Sequence, residues 1–306
     1  MARERVTRSL NEAEVKASGF GLTKLHGQHL LVNPLIIKSI IEKTDIKPSD
    51  VILEIGPGTG NLTMALLEKA KKVIAVEIDP RMVVELQKRV AASEYRHKLE
   101  IIHGDFTKMA KPPACDLVVS NTPYNVSSAI VFKLLSMRPL WRKAVLMFQK
   151  EFALRLCAGA GGKDYSRVSA NCQLLAKTDF LINVPKSCFR PPPKVESAVI
   201  SLVPRMPIPD VNLEEWDGLL KIIFNRKNKT VMSTFRANGV VDELFKRYEA
   251  YQRLENKESV DFEEFKKTLE KIINDSGLNE ERAGKLDTVA LMNLLKSCLE
   301  FGIHFV

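Results

Sequence analysis

Cysteine is scarce and unpatterned in this chain. Its five cysteines, Cys115, Cys157, Cys172, Cys188 and Cys298, include no Cys-x-x-Cys pair. That argues against a disulfide framework and for a reducing compartment. No apolar run approaches the ~18 residues a membrane-spanning helix needs, so no membrane association is expected. His26 and His29 have His-x-x-His spacing but no acidic or thiol partner nearby, so no metal site is expected. The first nineteen residues mix Arg3, Arg5, Arg8 and Lys16 with Glu4, Glu12 and Glu14. Transit peptides avoid such acids, and residues 1–19 are read as a flexible arm that touches RNA. Internal repeats and low-complexity tracts are also missing.

Charge of one sign is unevenly spread. Of 306 residues, 45% are hydrophobic, enough to fill two cores. The net charge is +9. Residues 1–205 carry 31 basic and 19 acidic residues, a net of +12, whereas residues 206–306 carry 15 and 18, a net of −3. A phosphate backbone is therefore expected along the first 205 residues. Within the acidic remainder, Lys221, Arg226, Lys227, Lys229 and Arg236 form one basic cluster. It reads either as a solvated surface or as one helical face lining an RNA groove, the second being the stronger reading.

Apolar runs alternate with helical spacing from Pro34, where a leading helix to Lys43 is expected, to Leu146-Met147-Phe148. Further strands fall near Phe180–Val184 and Val195–Val203. This is the pattern of a βαβ sheet. Pro204, Pro207 and Pro209 mark a linker, and residues 212–306 read as mainly helical, with Trp216 in an apolar stripe.

Three strand ends carry candidate ligand contacts. Val51–Ile55 runs into Gly56-Pro57-Gly58-Thr59-Gly60 and then a helical pattern. That is the nucleotide-binding start of a doubly wound fold, although its G-x-G-x-G spacing is not the dinucleotide fingerprint. Val73–Val76 ends in Glu77, twenty-one residues after Gly56, where a carboxylate can accept both hydroxyls of a ribose. Leu99–Ile102 leads to Asp105 and Phe106, a hydrogen-bond acceptor for an adenine amino group beside an apolar wall. The plainer readings are a solvated charge for Glu77 and a turn cap for Asp105. Together the three strand ends point to S-adenosylmethionine rather than NAD, an adenosine without a pyrophosphate.

Asn121-Thr122-Pro123-Tyr124 follows the apolar run 116–120. The Asn121 amide oxygen and the Pro123 carbonyl can each accept one N–H bond from an exocyclic amine, with Tyr124 as a stacking ring. Two acceptors off the ring plane favour a pyramidal, nucleophilic nitrogen. By itself the segment reads equally as a helix-entry turn.

With these motifs the chain resembles the ribosomal RNA adenine dimethyltransferase family, in its eukaryotic and archaeal branch. The matching stretches are Lys24–Leu31, Glu54–Gly60, Glu77–Pro80, Gly104-Asp105, Asn121–Tyr124, Gln149–Ala153, Phe189–Ser197 and Phe224–Thr230. The resemblance implies an α/β fold: a Rossmann-like class I S-adenosylmethionine-dependent methyltransferase domain over residues 20–205 with a smaller all-helical domain over 206–306. It implies that Gln28, His29 and Leu31 close over the cofactor and that Gly56 and Gly58 approach its methionine part. Glu77 would take the ribose, Asp105 and Phe106 the adenine, and Asn121 the region of the reacting methyl. Asn121 and Pro123 would orient the target amine, with Tyr124 and Phe189 flanking the base. Lys194, Arg226, Lys227, Lys229 and Arg236 are the candidate RNA contacts. The implied reaction methylates N6 twice on two neighbouring adenosines of a small-subunit rRNA hairpin, by a monomer, in the nucleus and nucleolus or in the cytoplasm of a source without a nucleus. A role in pre-ribosomal assembly is also implied. Thr122 departs from the family, which has leucine there, and is expected to point away from the amine. Methyl transfer to DNA adenine or a protein glutamine, and a non-catalytic assembly factor, are the competing readings.

Overall fold

A computed structural model describes residues 29–306. The arm over 1–19, His26 and Gln28 lie outside the described residues. The chain divides into two compact units, one comprising the described residues up to Cys157 with Ala176–Arg205, the other Ala158–Leu175 with Met206–Val306. Residues 158–175 thus cluster with the second unit, whereas the sequence pattern assigned everything before 206 to the first.

The first unit holds β1 (Leu30–Leu31), α1 (Pro34–Thr44), β2 (Val51–Ile55), α2 (Asn61–Lys69), β3 (Lys72–Glu77), α3 (Pro80–Ala91), β4 (Leu99–His103), β5 (Leu117–Asn121), α4 (Ser127–Ser136), β6 (Lys143–Gln149) and α5 (Lys150–Cys157). After the excursion into the second unit come β7 (Ala176–Val184), β8 (Phe189–Arg190) and β9 (Ser197–Pro204). Seven strands form one sheet in the order β4-β3-β2-β5-β6-β9-β7. β2 to β6 run parallel, while β9 is antiparallel to both β6 and β7. The apolar runs explain this placement. Ile52, Leu53, Val73, Leu117, Val118 and Val119 are buried almost completely, as strands covered on both faces require. Side chains start the helices: Asn33 accepts from the N–H groups of Leu35 and Ile36, and Asp79 accepts from that of Arg81, each ahead of a proline in the first turn. β1 and β8 form a separate two-stranded ribbon, Leu30 opposite Arg190 and Leu31 opposite Phe189.

The described residues of the second unit are helical: α6 (Arg167–Leu175), α7 (Leu213–Asn225), α8 (Val231–Phe235), α9 (Val240–Leu254), α10 (Phe262–Asp275) and α11 (Thr288–Glu300). Trp216, Leu219, Leu220, Ile223, Phe265, Leu269, Leu291, Leu294 and Leu295 fill its core, so Trp216 is a core residue. The buried carboxylate of Glu215 fastens the C-terminal segment. It accepts from His304 Nδ1 at 2.7 Å and from the Phe305 N–H at 2.6 Å, while Arg247 donates to the Phe305 carbonyl. Gly218 lets that segment approach, because a Cβ there would lie 2.8 Å from Phe305 Cβ and closer still to its carbonyl oxygen.

That contact reverses an ordinary expectation. Glycine to alanine inside a helix normally stabilises by about 1 kcal/mol. Here Gly218→Ala is expected to destabilise the second unit by about 1–3 kcal/mol through overpacking, read by calorimetric thermal unfolding. A higher transition temperature would show that Phe305 is not seated against α7.

Candidate active site

One cavity opens at the carboxyl ends of β2, β3 and β5, lined by His29, Glu54, Gly56, Glu77, Asp105, Phe106, Asn121 and Tyr124 among others. Its position follows from the strand order. β2 has β3 on one side and β5 on the other, which makes their gap a topological switch point. β5 pairs with β2 only as far as Glu54 opposite Val119, but with β6 as far as Asn121 opposite Met147. Beyond the last rung, Ser120 Oγ donates to the Ile55 carbonyl at 2.7 Å, which ties the two strand ends together.

The glycine loop forms the floor. Gly56 has φ +68 and Gly58 φ +56, left-handed values that glycine adopts without strain. A Cβ at Gly58 would stand 3.1 Å from Leu30 Cδ2, so β1 lies close over this loop. Asn61 Nδ2 donates to the Leu31 carbonyl at 2.7 Å, and Arg89 donates to Asn61 Oδ1 and to the Thr59 carbonyl. Glu77 is 5% exposed. Its Oε2 accepts the Gly58 N–H at 3.1 Å and its Oε1 the Asp79 N–H at 2.9 Å. Burial raises its carboxyl pKa while those amide bonds oppose the shift. Its oxygens, each with two lone pairs, keep acceptor capacity for a ligand diol.

Asp105 is a turn cap that also lines the cavity. Its Oδ1 caps a short turn by accepting from the Thr107 N–H and hydroxyl at 2.9 and 2.7 Å, and the residue still lines the cavity beside the buried Phe106 ring. Asn121 is oriented by its neighbour. Nδ2 donates to the His29 carbonyl at 2.9 Å; since a carbonyl only accepts, the amide nitrogen is the group spent there. Oδ1 remains as an acceptor at the cavity. Tyr124 is fixed by a 2.6 Å bond between its hydroxyl and Ser197 Oγ, and burial raises its phenol pKa. The His29 ring stacks on Tyr124 with centroids 5.6 Å apart.

Three expectations need correction. The Pro123 carbonyl is not free: it accepts the Val126 N–H at 3.3 Å and the Ser127 hydroxyl at 3.4 Å, as the helix-entry turn requires. Phe189 is 0% exposed within the apolar cluster under the sheet, so its ring faces the core and does not line the cavity. The basic cluster is not one helical face. Lys221 on α7 pairs with Asp217 at 3.4 Å. Lys227 donates to the Lys163 and Tyr165 carbonyls, 3.1 Å each. Arg236, beyond α8, makes a two-bond pair with Glu270 at 2.8 and 2.9 Å. Arg226 and Lys229 are exposed in the second unit, and Lys194 is exposed in the first.

Thr122 is 1% exposed. Its hydroxyl donates to Ser120 Oγ at 3.1 Å and its N–H to the Met147 carbonyl at 3.1 Å, so the side chain turns into the sheet. Sequence reasoning passed over Glu54 as a cavity residue, although a carboxylate inside an apolar strand just before a glycine loop was the available signal. Glu54 is 1% exposed and its Oε2 has no partner. Burial pushes its pKa up to about 8, with the nearby Glu77 charge adding to the shift and the Thr63 hydroxyl opposing it. Among the described residues no group of His, Cys, Asp and Glu could hold a metal, and no helix is long and apolar enough to cross a membrane.

The sequence profile of the ribosomal RNA adenine dimethylase family matches residues 20–274. The dimethyladenosine transferase of Saccharomyces cerevisiae is 46% identical over 285 residues, 91% of this chain and 89% of that protein. That of Schizosaccharomyces pombe is 44% identical over 304 residues, 99% and 98% of the two chains. The crystal structure of a dimethyladenosine transferase from Plasmodium falciparum superposes with a TM-score of 0.85 at 43% identity, covering 91% of this chain and all of the other.

Two measurements test the local chemistry. Between its ordinary value of 4.5 and about 8, Glu54 keeps in the folded protein a proton that the unfolded chain has released. The stability linked to that proton is complete below this window and lost as pH rises through it. The ligand-free Glu54→Gln variant is therefore expected to lose less stability between pH 5 and 8 than the parent, in melts run across that range; equal slopes would refute a neutral buried Glu54. Thr122→Val removes one hydroxyl donor while Ser120 keeps its bond to Ile55. It is expected to cost about 1 kcal/mol in stability and to leave calorimetric binding of S-adenosylhomocysteine unchanged.

Proposed function

The chain belongs to the ribosomal RNA adenine dimethylase family and is an rRNA adenine N6,N6-dimethyltransferase, and on that premise we propose that it dimethylates two adjacent adenosines in the 3′-terminal hairpin of small-subunit rRNA, with S-adenosylmethionine as donor. The observation that carries this reading is the amide of Asn121, whose nitrogen is held by the His29 carbonyl so that its oxygen is presented to the cavity shared with Glu77 and Asp105.

The residues present fit the donor. Glu77 offers two buried carboxylate oxygens to a ribose diol, Asp105 an acceptor to an adenine amine, and Phe106 an apolar wall. The orphaned Oε2 of Glu54 supplies an unsatisfied acceptor to a cationic group. When bound, S-adenosylmethionine supplies a methyl group already activated on a sulfonium sulfur. The protein's own part is positioning. The target adenosine leaves its stack and lays its ring on Tyr124, and the Asn121 oxygen accepts one N6 proton. The Pro123 carbonyl, which already accepts the Val126 N–H and the Ser127 hydroxyl, shapes the turn that presents Asn121 and Tyr124. After transfer the cationic nitrogen releases a proton to water. The slot accepts the monomethylated base for the second round, because the Thr122 hydroxyl is turned to Ser120.

Arg226 and Lys229 of the helical unit and Lys194 of the sheet unit act as phosphate contacts. Lys227 and Arg236 reach RNA only by giving up the internal partners described above. Residues 206–306 serve as an rRNA-contacting helical domain and residues 1–19 as an RNA-binding arm. The protein works as a monomer in the nucleus and nucleolus, where the modification accompanies small-subunit pre-rRNA processing.

Mass spectrometry of the rRNA hairpin after incubation with protein and S-adenosylmethionine is the direct test. Glu77→Ala and Asn121→Ala are each expected to abolish dimethyladenosine, the second while keeping most of the S-adenosylhomocysteine affinity. An Asn121→Ala protein that dimethylated the hairpin at the parental rate would disprove the assigned role. Faster turnover of naked DNA than of small-subunit particles would move the substrate class.

A further inference from the structure

The segments Gln149–Ala153 and Phe189–Ser197 meet at one rung of the sheet. Gln149 ends β6 and stands opposite Ser197, the first residue of β9, which also pairs with Val184 at the end of β7. Just past that rung the Lys150 N–H donates to the Glu196 carbonyl at 3.0 Å, and the Lys150 ammonium to Glu196 Oε2 at 2.7 Å. Ser197 Oγ shares its 2.6 Å hydrogen bond with the hydroxyl of Tyr124. The geometry points to Lys150, Glu196 and Ser197 as positioning residues that fix the Tyr124 ring for the target base. This inference rests on the adenosine-methylating reading of the cavity that Tyr124 lines.

A tyrosine ring hangs from the main chain on two rotatable bonds. The main chain of Tyr124 is set by the turn before α4, where its carbonyl accepts the Ser127 hydroxyl at 3.1 Å. A second anchor at the far end of the ring removes the swing that remains, and Ser197 supplies it. That anchor is rigid. β9 lies between β6 and β7, so Ser197 is held by a ladder on each side and is 0% exposed. Burial raises the Tyr124 phenol pKa, which keeps the hydroxyl protonated and its bond to Ser197 neutral.

Stability alone does not call for this arrangement. A buried hydroxyl must find a partner or cost free energy, and alanine, which follows at 198, would fill the same rung with no polar group to satisfy. The Lys150–Glu196 pair is half-exposed, at 40 and 44%, where an ion pair adds little to folding. Its effect is on geometry. It fastens the residue before Ser197 to the residue after Gln149, and so fixes where β9 begins. The Lys150 ammonium also holds the Glu196 carboxyl below its ordinary pKa, so the pair stays charged at neutral pH. A ring held at both ends meets an extruded base without first being ordered, which is how positioning lowers a barrier.

The test uses the full chain, the rRNA hairpin and S-adenosylmethionine, with the variants Tyr124→Phe, Ser197→Ala and both together. Tyr124→Phe keeps the stacking ring and removes only its tether. Each single change is expected to lower kcat/KM for the hairpin about tenfold, through one hydrogen bond and the orientation it holds. S-adenosylhomocysteine affinity should stay within about twofold of the parent, the scatter of an untouched site. Both changes break the same bond, so the double variant should lose no more than either single one. Glu196→Ala should lower kcat/KM about threefold in the parent and no further in Tyr124→Phe, a comparison that decides even if Ser197→Ala fails to fold. The proposal is overturned if a folded single variant turns over like the parent, if losses multiply when changes are combined, or if S-adenosylhomocysteine affinity falls along with kcat/KM. Parental protein that leaves the hairpin unmethylated would overturn the proposed function, and this positioning role with it.

Discussion

The site depends on where two parallel strands stop pairing. β2 and β5 share a ladder only to Glu54 and Val119, and β5 then follows β6 alone. At that split the Ser120 hydroxyl reaches across and donates to the Ile55 carbonyl at 2.7 Å. That bond keeps the strand ends close enough for one ligand to touch both. It carries Gly56 to one side of the crevice and Asn121 to the other, and Thr122 adds a third member to the chain by donating to Ser120. With an apolar residue at that position, the Ser120–Ile55 bond would stand by itself. Thr122 thus ties the sheet through its hydroxyl at the edge of the cavity.

The carboxylates around the crevice have separate electrostatic tasks. Glu77 is buried, yet two backbone N–H groups stabilise its charge. It holds the glycine loop against β3 before any ligand arrives. Glu54 is deeper and its Oε2 is unpartnered, so desolvation dominates and the proton stays on. A cationic group entering the cavity would favour the ionised form and release that proton. The ligand-free protein thus holds a proton that a cationic ligand would displace, which links affinity for such a ligand to pH.

Much of the sheet was legible because parallel strands buried on both faces must be continuous apolar runs. Val51–Ile55 is the observed β2, and the runs leading to Glu77, Asp105 and Asn121 end at the same edge because parallel strands in one sheet share direction. The glycine loop was legible from Gly56-Pro57-Gly58-Thr59-Gly60 after an apolar run, and its glycines take positive φ in the structure. What escaped had no local signature. The two-residue ribbon of β1 and β8 joins segments about 160 residues apart, as Leu30 and Arg190 show, and nothing in either dipeptide announces the pairing. The assignment of 158–175 to the helical unit depends on contacts such as Tyr165 with Leu286, a hydrogen bond of 2.8 Å. Charge was misleading for the same reason. Lys227 and Arg236 look like RNA ligands in a linear sequence, but carbonyl and carboxylate partners that folding brings near already occupy them.

The fate of Phe189 shows where the limit of motif reading lies. A motif fixes which residue occupies a position, whereas the exposure of that residue is set by what packs on it. β8 is held by β1, so the Phe189 ring is covered and the residue across the ribbon, Leu31, is buried with it. The same pairing delivers the residue before β1, His29, to the face of Tyr124. Burying one aromatic and presenting the other are thus two results of one register. A shift of that ribbon by a single residue would exchange which side chains face the core. The identity of the ring that faces Tyr124 is therefore a property of strand pairing, and only secondarily of the residues in the motif.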